Sequence, residues 1–157
     1  MKNTTLCYIE KDGAYLMLHR IKKKNDENAD KWVGIGGKLE EGESPYDCAR
    51  REIYEEVGVV PTGLRYRGLV TFVSDIYGTE YMHLFTADGY EGEVNYDCDE
   101  GVPEWVSKSQ VSSLPIGEGD KIFFELLDRE ERFFSLKLCY EGDTLVSAAL
   151  NGQSLTI

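Results

Sequence analysis

Cysteines, histidines and basic residues are few in this chain, and it has no long apolar run. Cys7, Cys48, Cys98 and Cys139 are scattered, with no C-x-x-C pair and no histidine close enough to suggest a zinc site. A disulfide framework is not needed, because a domain of this length buries roughly 68–70% of its unfolded surface without staples. Four reduced, mostly buried thiols are therefore expected. His19 and His83 show no partners in the sequence, and neither is given a catalytic role. No apolar stretch approaches the length of a bilayer span. The opening Met1-Lys2-Asn3-Thr4-Thr5 lacks the apolar stretch of a signal peptide. A cytoplasmic protein with no membrane partner is expected. Positive charge is also short: 17 Lys and Arg stand against 29 Asp and Glu, a net −12. Such a surface repels polyanions, which argues against a nucleic-acid polymer as partner. A phosphate compound would have to be met through metal cations.

At 157 residues, 41% hydrophobic and 29% charged, the chain reads as one globular domain over 1–157. Thr4 to Ile9 and Tyr15 to Leu18 are β-prone runs on either side of Lys11-Asp12-Gly13, a hairpin signal. Residues 21–31 are polar and mixed in charge, an exposed loop with Lys22, Lys23 and Lys24 at its tip. Trp32 to Gly37 reads as a short strand running into glycine. Ser44 to Val57 predicts a helix: Ser44 caps, Pro45 fits the first position, Asp47 the third, and Gly58 ends it. Ala49, Ile53 and Val57 recur every four residues as its apolar face. Leu64 to Ser74, Glu80 to Thr86 and Glu104 to Val106 read as strands, and Asp120 to Arg129 as a second helix. Phe133 to Tyr140 and Thr144 to Leu150 flank Glu141-Gly142-Asp143 as a terminal hairpin. Strands and two helices interleave as a sandwich around one sheet, α/β or α+β.

The first helix breaks two local rules. Glu52, Glu55 and Glu56 stand at i, i+3 and i+4 on one face, where like charges cost roughly 0.2–0.5 kcal/mol per pair. They also crowd the negative end of the helix dipole, at about 0.3–1 kcal/mol each. Helix stability alone would have placed lysine there, so the cluster points to function. Converging carboxylates suit a hard divalent cation, which takes oxygen ligands. Ahead of them, Gly34, Gly36, Gly37 and Gly42 form a loop that can bring backbone N–H and C=O groups close to phosphate or metal.

Gly37, Glu43, Arg51, Glu52, Ile53, Glu55, Glu56, Gly58 and Val59 match every defined position of the Nudix box, over residues 37–59. Seven fixed identities at roughly 6% usage each give about 10⁻⁸ or less per starting position by chance. The chain therefore resembles the Nudix hydrolases. A looser likeness to the MutT-type, nucleotide-sanitising branch runs over most of its length. That resemblance implies an α/β/α sandwich with a mixed central sheet and the loop-helix motif. It also implies an enzyme that cleaves a nucleoside diphosphate linked to another moiety, using water and Mg²⁺, with Mn²⁺ as substitute.

By the same resemblance Glu52, Glu55, Glu56 and the carbonyl of Gly37 hold metal, and Arg51 orients the glutamates. Glu43 fixes the loop, and Glu100 in Asp97-Cys98-Asp99-Glu100 supplies a fourth acid or is one more solvated acid. The general base is Glu52, Glu56 or Glu100. Substrate contacts fall to Arg20, Trp32, Gly36, Gly37, Lys38 and Asp120, with Arg20 read equally as an ordinary exposed arginine. Asp120 has two readings, an N-cap of the second helix and a contact to the purine edge. Some relatives carry an Asn near the place of Val33 and a Trp near that of Gly117, and this chain has neither. Trp32, Tyr81 or Phe72 could stack on a base in that Trp's stead, or simply pack in the core. The implied reaction converts a purine nucleoside triphosphate such as 8-oxo-dGTP to monophosphate and pyrophosphate. ADP-ribose, a dinucleoside polyphosphate or a nucleotide sugar are the alternative substrates, and a non-catalytic nucleotide sensor is the alternative class. The expected partner is a small nucleotide, and the expected state a monomer or homodimer.

Overall fold

Asp12 and Gly13 both take positive φ, 51° and 76°, the type I′ combination that matches the twist of paired strands. They join β1 (Lys2–Lys11) to β2 (Ala14–His19), antiparallel with Ile9 opposite Leu16. The computed structural model describes residues 2–21 and 30–157, so the lysines expected at a loop tip, Lys22, Lys23 and Lys24, lie outside the described residues. After them come β3 (Trp32–Val33), β4 (Ile35–Lys38), α1 (Pro45–Val57) and β5 (Val60–Thr62). Next are β6 (Arg65–Ser74), β7 (Gly78–Ala87), β8 (Gly89–Glu91) and β9 (Val102–Ser107). A 3-10 turn at Lys108–Ser113 leads to α2 (Asp120–Asp128), and β10 (Phe134–Glu141), β11 (Thr144–Leu150) and β12 (Gln153–Leu155) complete the described chain.

The main sheet is mixed and runs β12-β11-β10-β6-β7-β1-β2-β3, with β4 also on β1 and β9 on β2. β1 lies parallel to β7, and β10 parallel to β6; the remaining pairs are antiparallel. Along one edge β1 changes partner, pairing with β4 from Thr4 to Cys7 and with β2 from Ile9 to Lys11. That fork carries the Gly36-Gly37 backbone away from β2 and towards α1.

Both faces of the sheet are covered, so β1 and β2 read as nearly unbroken apolar runs instead of alternating ones. Cys7, Ile9, Leu16, Leu18, Phe85 and Ala87 face Ala49, Ile53 and Val57 of α1. Tyr8, Tyr15, Met17, Met82 and Leu84 face Phe123, Phe124, Leu126 and Leu127 of α2. The expected α/β/α sandwich is the architecture found. Fully burying each Leu, Ile or Phe contributes about 1.5–3 kcal/mol, which makes these two layers the main stabilising element.

α1 begins and ends as its sequence dictates. Ser44 Oγ accepts from the Asp47 N–H, the Asp47 carboxylate accepts from the Ser44 N–H, and Gly58 closes the helix at φ 72°. The acidic stretch after Asp88 holds β8, paired with β5 in a small second sheet. Both are three residues long, too short for a periodic signal. All four cysteines are free thiols, three of them buried. Among the described residues no helix is long and apolar enough to cross a membrane.

Candidate active site

Arg51 is the hub of the acidic face of α1. Its Nε donates to Glu43 Oε2 at 2.7 Å and its Nη2 to Glu43 Oε1 at 2.9 Å, a two-pronged pair. Nη1 reaches Glu52 Oε1 at 2.8 Å and Glu55 Oε2 at 3.2 Å, and Nη2 also donates to the Lys38 carbonyl at 3.0 Å. One guanidinium thus ties the glycine loop, the pre-helix turn and two helix glutamates together. Those hydrogen bonds hold the Glu43 carboxyl at about 2, and a further one from the Glu40 N–H acts the same way. Arg51 is raised in turn, chiefly by Glu43.

Glu52 and Glu56 are in a different state. Burial raises the Glu52 carboxyl despite Arg51 beside it. Glu56 is pushed up to about 8 by burial first, then by the charges of Glu52 and Glu100. The Gly36 N–H donates to the Glu56 carboxylate, yet its Oε2 is buried and finds no hydrogen-bond partner among the described residues. An unmet buried carboxylate oxygen costs about 1–3 kcal/mol or more, so it needs an explanation. The Gly37 carbonyl has the Cys48 thiol at 3.7 Å.

The loop after β8 completes the cleft. The Asn95 N–H donates to the Val57 carbonyl at 2.8 Å, catching an open end of α1, and the Asp97 N–H turns back onto Asn95 Oδ1. Gly101 presses against the His19 carbonyl so closely that a Cβ would stand 2.8 Å from it. Anchored at both ends, Asp97 to Glu100 lie across from Gly36, Gly37, Glu52, Glu55 and Glu56 around a cavity of about 420 Å³. Glu100 therefore joins the helix glutamates, and Arg20, at the end of β2, stands 3.8 Å from it. Asp97 and Asp99 share the cavity wall, a role the sequence reading did not give them although the acidic run was visible. Among the described residues no group of three or more His, Cys, Asp or Glu side chains converges on a single metal-ion position; Arg51 holds Glu52 Oε1 and Glu55 Oε2.

The other expected contacts divide. Gly36 and Gly37 line the cavity, whereas the Lys38 side chain points to solvent and only its carbonyl takes part. Trp32 stands on the α2 side of the sheet with one face covered by His19, the rings 4.2 Å apart and nearly parallel. His19 thus has partners after all, that ring and Asp30 at 2.9 Å. His83 likewise meets Tyr66 and Asn3. Phe72 packs near Tyr140 at the edge of the core. Asp120 is the first residue of α2, but the N-cap is Gly119 and no side chain caps the helix, so the cap expected of Asp120 is corrected. Its carboxyl instead receives the Gly117 N–H, and burial pushes it up to about 7. It keeps part of its surface, as a carboxyl ringed by protein and reached from one side would.

Comparison with known proteins places this geometry in a family. The profile described as the NUDIX domain matches residues 2–127. An oxidized purine nucleoside triphosphate hydrolase from Danio rerio is 34% identical over 131 residues, 82% of this chain and 83% of its own. An uncharacterized Nudix hydrolase from Bacillus subtilis, YvcI, is 30% identical over 124 residues, 76% and 75% of the two chains. The crystal structure of a MutT protein from Bacillus halodurans superposes with a TM-score of 0.86 at 28% identity, over 98% of this chain and 99% of that one.

Proposed function

This chain belongs to the Nudix family and is a Nudix hydrolase, and from that premise we propose that it hydrolyses purine nucleoside triphosphates, 8-oxo-dGTP among them, to monophosphate and pyrophosphate. Hydrolases of this family use divalent metal ions, and we take Mg²⁺ as the ion here. The residues fit one. Glu52, Glu55, Glu56, Glu100 and the Gly37 carbonyl offer hard oxygen donors, and the orphaned Oε2 of Glu56 is the observation that carries the assignment. When bound, a divalent cation offsets phosphate charge and lowers the pKa of a water.

The chain's own residues do the rest. Arg51 holds Glu52 and Glu55 from behind and leaves their remaining oxygens for the cleft. Glu52, Glu56 or Glu100 takes the proton from water as its oxygen bonds to phosphorus and the bridging P–O bond breaks. Pyrophosphate leaves. Arg20 at the rim contributes positive charge beside the phosphates. The segment from Trp32 to Lys38 runs from the α2 side of the sheet to the acidic cleft. A nucleotide lying along it would set its phosphates among the glutamates and its base towards Trp32 and Asp120. The substrate is a free nucleotide, in keeping with a net charge of −12.

The test is a product assay with Mg²⁺ on 8-oxo-dGTP, dGTP, dATP, ADP-ribose and a diadenosine polyphosphate. Pyrophosphate release with kcat/KM highest for 8-oxo-dGTP is expected. Preference for ADP-ribose or the dinucleotide would overturn the substrate and keep the site. Glu55→Gln and Glu56→Gln should fold and lose most turnover; wild-type rates in both would overturn the site.

A further inference from the structure

The terminal strands β10, β11 and β12 lie beyond the family match, which ends at residue 127. They nevertheless hold the turn that carries Asp120. The Tyr140 hydroxyl of β10 accepts the Gly119 N–H at 2.7 Å. That N–H belongs to the N-cap of a helix with no side-chain cap of its own, so the phenol satisfies a donor that local sequence leaves open. The approach needs a glycine: a Cβ on Gly119 would stand 2.6 Å from the hydroxyl oxygen and 2.5 Å from Leu138. One residue earlier, the Glu118 carboxylate accepts the Leu145 N–H of β11 at 2.8 Å. At the upstream end the Pro115 carbonyl accepts the Trp32 N–H at 2.8 Å.

Tyr140 is itself aimed. The β10–β11 register shifts between Cys139 and Tyr140, and such a bulge redirects the side chain that follows. The Asp75 N–H donates to the Tyr140 carbonyl and the ring sits 6.3 Å from Phe72. A residue serving only to extend the sheet would need none of this.

We propose that the terminal hairpin is a specificity element of the nucleotide site, with Tyr140 a positioning residue that fixes Asp120 against the base through Gly119, and Glu118 a second tether. The inference rests on the reading of Asp120 as the purine contact. Tyr140→Phe keeps the ring and removes only the hydroxyl that accepts the Gly119 N–H. With dGTP it should raise KM about tenfold, the scale of one well-placed hydrogen bond, while kcat stays within about twofold. With dCTP neither constant should move, so purine discrimination narrows. In an Asp120→Asn background the same change should have no further effect on KM, because the tether then positions nothing that is read. Glu118→Ala should move KM in the same direction and serves if Tyr140→Phe fails to fold. An equal fall in kcat for both nucleotides, or unchanged KM in both tether variants, would overturn the tether while leaving Asp120 as the contact. Intact purine discrimination in Asp120→Asn alone would overturn the base contact, and the tether's role in specificity with it.

Discussion

Arg51 shows how one residue can reconcile a helix with a face that works against it. Of the three glutamates on the last turns of α1, with no basic residue there, two are held by a guanidinium that shares its donors between Glu43, Glu52 and Glu55, and the third, Glu56, takes the Gly36 N–H. Adjacent glycines in front of that face have opposite tolerances. A Cβ on Gly36 would lie 1.8 Å from the Thr5 carbonyl oxygen, in the backbone of β1, whereas one on Gly37 would meet the Glu52 carboxylate at 2.4 Å. Gly36→Ala should therefore unfold or fail to express, while Gly37→Ala should keep its melting transition and lose turnover as Glu52 is displaced. Thermal melts with kinetics on both variants check this, and a stable Gly36→Ala would refute it. Asp120 offers a pH test. Its folded pKa of about 7 lies above the ordinary value of about 3.9. The stability tied to its protonated form is full below about pH 4 and is lost as pH rises through about 7. Asp120→Asn should thus melt higher than wild type at pH 8, with the gap closing as pH falls towards 4. A gap that widened on acidification would contradict burial as the cause.

Among the elements, α1 was the most legible, because every signal for it is local. Its cap, proline, four-residue apolar spacing and terminal glycine lie within fifteen positions, and the structure follows them to the residue. Ser44→Ala should cost about 1 kcal/mol in urea denaturation by removing the side-chain acceptor at the helix start. No measurable change would mean that packing against β1 and β4 alone holds the first turn. The first hairpin was legible for the same reason, through Asp12-Gly13. By contrast β5, β8 and β12 span three residues each and were not foreseen. Their strand character comes from a partner, as when Pro61 pairs opposite Tyr90, and no window of that length carries a period.

The whole molecule poses an electrostatic problem, since a net charge of −12 meets a substrate that is itself an anion. Nucleotide binding should therefore depend on the cation as strongly as catalysis does. Calorimetry after EDTA treatment should show 8-oxo-dGTP binding at least about tenfold weaker than with Mg²⁺, with the far-ultraviolet spectrum unchanged and turnover restored on readdition. Equal affinity without metal would mean that residues such as Arg20 carry the phosphates alone. The sequence by itself determined the family, the glutamates on one helix face and the caps of that helix, because each rests on spacing within one segment. Glu100 could be named but not placed. Only the tertiary structure brought its loop to α1, through the Asn95 N–H on Val57 and the fit of Gly101 to His19. It also decided that Trp32 is covered by His19, that Asp120 caps nothing, and that Tyr140 reaches Gly119 from the far end of the chain. Contacts between residues a dozen or more positions apart depend on which strands pair and in what register, and no local pattern specifies that.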